Sequence, residues 1–196
     1  MVNITPQQNK VTGELVDLVA AKVGSNRAIH PETAISSSAR LAGSLLLRSF
    51  NFQLDGLEPG NVLLSDEANE KGSMLVNTMA AFLSASNVSM DQSKLGGQQD
   101  HRGQEPHLDI LSALTQLQSE ALNICRENGL TLEQAAQSAA LATAFIVKEC
   151  APQIGAETGF NVAVFGFVEG SKTVPPHASA ASKPVAATKP WYKFWE

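Results

Sequence analysis

GFNVAVFGFVEG, residues Gly159–Gly170, sets the architecture expected of this chain. Val162, Val164, Phe165, Phe167 and Val168 are β-formers enclosed by glycines, a composition that predicts a strand. One strand cannot stand alone. The partner available within the chain is Phe50–Asp55, where Phe50, Phe52 and Leu54 alternate with Asn51, Gln53 and Asp55 in the period-two pattern of a half-buried strand. The expectation is a small two-stranded β-ribbon beside a helical body, with a strand of a second copy as the rival partner.

The rest of residues 1–170 reads as helix. Thr5-Pro6-Gln7-Gln8 is a capping box with proline at the first helical position, followed by Val11, Leu15, Leu18 and Val19 at helical spacing and a stop at Gly24. His30-Pro31-Glu32 opens a second helix running to about Ser49. Its interior is small-residue rich: Ser36, Ser37, Ser38, Ala39, Ala42, Gly43 and Ser44 allow another backbone to come close. Ser65-Asp66-Glu67 starts a third helix, with Leu75, Met79, Phe82 and Leu83 inward. Residues 88–106 lack periodicity and read as a mobile loop. Pro106 opens a fourth helix, and the capping box Thr131-Leu132-Glu133-Gln134 a fifth. The fifth, apolar or small nearly all round, is expected at the centre of a bundle of about five helices.

Composition excludes several classes. The chain is 43% hydrophobic and 17% charged, the range of a globular protein. Cys125 and Cys150 fit no ligand or redox spacing and read as reduced, small apolar side chains. No basic stretch followed by an apolar run marks a secretory signal. The longest charge-free helical run, Gln134–Val147, falls short of the ~20 residues of a membrane span. A cytoplasmic protein is expected. Residues 171–196 carry a net charge of +3 and residues 1–170 a net −8, so nucleic acid is not the expected ligand of the body.

The C-terminal segment is the feature that a folded core does not explain. Residues 171–189 are rich in Ala, Ser, Pro, Lys and Val and read as a disordered linker. Residues 190–196, PWYKFWE, then hold both tryptophans and the only tyrosine. Trp191, Tyr192, Phe194 and Trp195 left in water are a solubility liability, so something is expected to cover them. Three covers are available. A groove on another protein would use the aromatic residues that dominate binding hot spots. A membrane surface would attract Trp, Tyr and lysines, though weakly for so short a segment. The chain's own acidic body, or that of a second copy, would attract the basic tail.

Two clusters point to chemistry instead. Asp66, Glu67 and Glu70 lie within one turn, where carboxylates can bind a hard cation or move protons; first-turn acids are also what a helix start favours on electrostatic grounds. His101 and His107, among Asp100, Glu105 and Asp109, offer zinc-type ligands at a spacing that matches no zinc motif. His30, before Pro31, reads as a capping or packing residue. No nucleophile elbow or phosphate loop is present. The expected function is a non-enzymatic interaction or adaptor module docking through its aromatic peptide, with no cofactor. The alternative is a small enzyme or metal-binding protein using the acidic or histidine cluster.

Overall fold

The computed structural model describes residues 4–24, 30–54, 56–96 and 105–177. Among these residues are six α-helices: α1 (Pro6–Val23), α2 (Pro31–Ser49), α3 (Asp66–Ala85), α4 (Ile110–Glu127), α5 (Leu132–Ile154) and α6 (Ala156–Lys172). Their starts follow from local chemistry. Thr5 and Thr131 form the capping boxes with Gln8 and Gln134, and Ser65 accepts from the Ala68 N–H. α4 begins after Asp109, which accepts from the Ser112 N–H, rather than at Pro106.

The expected β-ribbon is not formed. Among the described residues there is no strand, and Gly159–Gly170 is the main part of helix α6. The glycines and alanine of that stretch explain why. Gly159, Ala163, Gly166 and Gly170 recur at helical spacing, are all buried, and share a face with Phe160 and Phe167, while Phe165 and Val168 turn outward. Alternation at period two would have put Phe165 and Phe167 on the same face; the structure separates them. β-propensity yields here to tertiary packing.

That packing is against α2, the central helix of the bundle. Every residue from Glu32 to Leu47 is buried, which makes α2, rather than α5, the most enclosed element. α6 runs parallel to it at a separation that only glycine permits. A Cβ built on Gly43 would lie 2.5 Å from the Phe167 carbonyl oxygen and 2.6 Å from the Ser171 nitrogen. One built on Gly166 would lie 2.7 Å from the Ala39 Cβ, and one on Gly170 would collide with the Arg40 carbonyl. Interior glycines cost about 1 kcal/mol each relative to alanine; the backbone-to-backbone contact they admit is the compensation. α5 also packs on α2; its Ala135, Ala136, Ala139, Ala140 and Ala142 are buried, and a buried hydroxyl pair, Ser38 with Thr143 at 2.9 Å, joins the two helices. Gly155 alone connects α5 to α6, at φ +83°, in the left-handed region that glycine enters freely.

Phe50–Leu54 keeps the alternation expected of it without a ladder. Phe50, Phe52 and Leu54 are half-buried and Asn51 and Gln53 exposed; Phe50 caps α2 and meets Phe52 edge-to-face at 5.7 Å. The β-type contact lies elsewhere, as an isolated antiparallel bridge between Val62 and Thr173. Residues 88–96, the first part of the loop, include a 3₁₀ turn (Gln92–Lys94) fastened to α6: Asn161 donates to the Lys94 carbonyl and accepts from the Gly96 N–H, both at 2.9 Å. Residues 97–104 lie outside the described part. Among the described residues no helix is long and apolar enough to cross a membrane.

Candidate functional site

Residues 190–196, with Trp191, Tyr192, Phe194 and Trp195, lie outside the described residues, as does most of the linker. What is described is the segment that precedes them, residues 171–177. Residues 171–176, assigned by sequence to the linker, pack on the body. Thr173 bridges Val62, the Val174 N–H donates to the Asn61 carbonyl, and the Gly60 N–H donates to the Val174 carbonyl, both at 2.9 Å. Val174 and Pro175 are buried. The Pro176 carbonyl then accepts from Gln118 Nε2 at 2.7 Å and from Arg48 at 3.4 Å. Burial lowers the Arg48 pKa from its ordinary value. Each helix contributing to this clasp is fixed by the core, so Pro176 is held at a defined point, beside the C-terminal turn of α2 and the middle of α4.

Next to the root lies an open groove of about 480 Å³, lined by Phe52, Leu63, Leu64, Ser65, Asp66, Glu67 and Asn69. Leu64 is 82% exposed and Val62 68%. Of the acidic cluster noted in the sequence, Asp66 and Glu67 line this groove on the first turn of α3 and Glu70 lies further along the helix; all three are exposed and in no ion pair among the described residues. Sequence reasoning placed the acids but not the leucines, because Val62–Leu64 has no periodicity to reveal it as an apolar rim.

The histidine cluster is rearranged. His101 falls outside the described residues, and His107 stacks on His30, ring centroids 3.9 Å apart. His30 caps α2 as read from sequence: its Nδ1 accepts from the Thr33 N–H at 3.4 Å and pairs with the Thr33 hydroxyl at 2.8 Å, which in turn accepts the His107 N–H at 2.9 Å. His30 Nε2 lies 3.6 Å from the buried Glu32 carboxylate, whose other oxygen has no hydrogen-bond partner among the described residues. Among the described residues, no group of three or more His, Cys, Asp or Glu has an arrangement that could hold a metal ion. Cys125 and Cys150 are buried, unpaired thiols pushed up to about 11 and about 12, in both cases chiefly by burial. They are protonated at neutral pH and poor nucleophiles.

His30 gives the body a pH response. Burial lowers its pKa, outweighing the opposing pull of Glu32, and His107 adds to the lowering. The folded state therefore binds fewer protons here than the unfolded chain. The stability this group contributes is complete above the ordinary histidine value of about 6.5 and declines as pH falls below it. Urea midpoints measured between pH about 7 and 5 should fall more for the wild type than for His30→Asn, which keeps a capping side chain but does not titrate. Equal slopes would remove His30 as the cause.

Searches against protein-family models, curated proteins and solved structures found nothing that this chain matches.

Proposed function

We propose that this protein is a non-enzymatic interaction module: a closed helical body that presents the aromatic peptide Pro190–Glu196 to a protein partner. The observation that carries the reading is the clasp at Pro176, where Arg48 and Gln118 hold a carbonyl close before the residues that bear the peptide. Beyond it, both of the chain's tryptophans and its one tyrosine are concentrated in the final seven residues. Trp and Tyr bury about 150–250 Å² each and dominate binding hot spots. A tether with a fixed root raises the effective concentration of such a peptide around anything else the body contacts. Lys189 and Lys193 favour a partner surface with acidic groups around an apolar pocket.

The test uses the full chain as bait. Wild-type protein should retain a partner from a lysate of its own source, and Trp191→Ala/Trp195→Ala should lose it, since loss of a central aromatic anchor costs about 2 kcal/mol or more, roughly thirtyfold in affinity. The far-UV circular dichroism should stay that of the wild type. Equal retention by the two proteins would refute the reading.

A further inference from the structure

The groove at Leu64 gives the tail a place on its own body. Its apolar rim is continuous with the tail's root: Val62 bridges Thr173, and the Leu63 N–H donates to the Lys172 carbonyl at 2.7 Å. The opposite rim is acidic, with Asp66 and Glu67 at the groove and Glu70 one turn further along α3. An exposed Leu64 and Val62 beside carboxylates that form no ion pair among the described residues make a surface that suits an aromatic, basic peptide. We propose that, in the absence of an outside partner, the segment Pro190–Glu196 of the same chain occupies this groove. Its aromatic side chains lie against Phe52, Leu63 and Leu64, and Lys189 and Lys193 lie beside Asp66, Glu67 and Glu70. The proposal rests on the docking-peptide reading and adds a resting state in which the peptide is masked.

Length, charge and size each favour this occupant. From Lys172, hydrogen-bonded at the groove, to Pro176 the extended chain advances about 13 Å. Residues 178–189 then separate the root from the peptide, and an unstructured chain of that length has a root-mean-square span of about 20 Å. The groove is within that span. The intramolecular effective concentration is on the order of millimolar, so even a weak site fills. A second groove, around Met90, Leu95 and Phe160, is lined by no acidic residue and lies at the far end of α6, about 18 Å further off at the rise of a helix. The Leu64 groove, about 480 Å³, is in the range of pockets that take ring-sized groups.

Both tryptophans are in the tail, so intrinsic emission reports on the tail alone. In full-length protein the emission should be blue-shifted and several-fold less quenched by acrylamide than that of a synthetic Pro190–Glu196 peptide, and unchanged on dilution. Leu64→Asp should return both readings to those of the free peptide. Because Leu64 is 82% exposed, its far-UV circular dichroism should stay that of the wild type. A wild-type spectrum equal to the free peptide's would overturn the proposal. So would a blue shift lost on dilution, which assigns the peptide to a second copy, or one that survives Leu64→Asp, which places it elsewhere. The lysate experiment fails or succeeds independently. If both hold, Leu64→Asp should capture more partner than wild type, because its peptide is unmasked.

Discussion

Gly170→Ala is expected to lower the melting temperature by about 6–12 °C, while Gly13→Ala should raise it by a few degrees. The two substitutions add the same methyl group to helix interiors. At Gly13, on the exposed side of α1, nothing lies within 4 Å of the new Cβ, so only the gain in helix propensity remains, about 0.5–1 kcal/mol. At Gly170 the new Cβ collides with the Arg40 carbonyl oxygen and lies 2.9 Å from its carbonyl carbon and 3.0 Å from its Cα. All three are backbone atoms of α2, and no rotamer change relieves them. α6 must move away, and the contact that Gly166 and Gly43 make possible is loosened with it. Overpacking a fixed core costs about 1–3 kcal/mol, and this case belongs at the upper end because the obstacle is main chain. Gly43→Ala meets the same interface from the other helix, so the double substitution should cost less than the sum of the singles. A Gly170→Ala protein that melts at or above the wild-type temperature would show that α2 and α6 are not packed this closely.

Most helices were legible because their signals are local. Thr5, Ser65 and Thr131 announce helix starts by side-chain chemistry that operates within three residues, and the structure forms each cap. α6 was not legible from its residues taken as β-formers. Its decisive feature is the spacing of Gly159, Ala163, Gly166 and Gly170, and that spacing acquires meaning only opposite the small residues Ser36, Ala39 and Gly43 of α2. The small-residue run of α2 had signalled a close neighbour; the sequence did not identify which element supplies it. Phe50–Leu54 shows the converse. Its alternation correctly marks half-burial, but period-two burial does not require a hydrogen-bonded partner.

The candidate site divides in the same way. Asp66, Glu67 and Glu70 were readable as a cluster because they are neighbours on one helix. The position of Asp66 and Glu67 at an apolar groove was not, since Phe52 and Leu64 reach it from separate segments that no periodicity connects. The stacking of His30 on His107 joins residues from opposite sides of α3 in the sequence, and only the fold brings them together. Arg48 and Gln118, which hold the root of the tail, carried no signal at all: a lysine or arginine in a last helical turn is ordinarily read as complementing the helix dipole.

Glu169→Ala is expected to destabilise the body by about 3 kcal/mol, roughly 6–12 °C in melting temperature. Arg40 sits inside the bundle with its side chain 8% exposed. Its Nε donates to Glu169 Oε2 at 2.7 Å and its Nη1 donates to the Leu108 carbonyl at 2.6 Å. One guanidinium thereby ties α2 to α6 and to the segment that leads into α4. Removing the carboxylate leaves a buried positive charge with, among the described residues, the Leu108 carbonyl as its hydrogen-bond partner and the exposed Asp109 carboxylate as a more distant counter-charge, and an arginine cannot escape by releasing its proton. The loss is therefore a desolvation penalty no longer offset, and it should exceed what a surface ion pair contributes, about 0–1 kcal/mol. Replacing both partners with apolar side chains of similar size, Arg40→Met/Glu169→Leu, removes the charge together with its counterion and should recover most of the stability, short of the hydrogen bond to Leu108. Thermal unfolding of the three proteins decides the matter. A Glu169→Ala variant within about 0.5 kcal/mol of wild type would mean that water, entering past the 28% exposed Glu169 side chain, already screens the guanidinium. The double substitution should then be the less stable of the two, reversing the order that a buried charge requires.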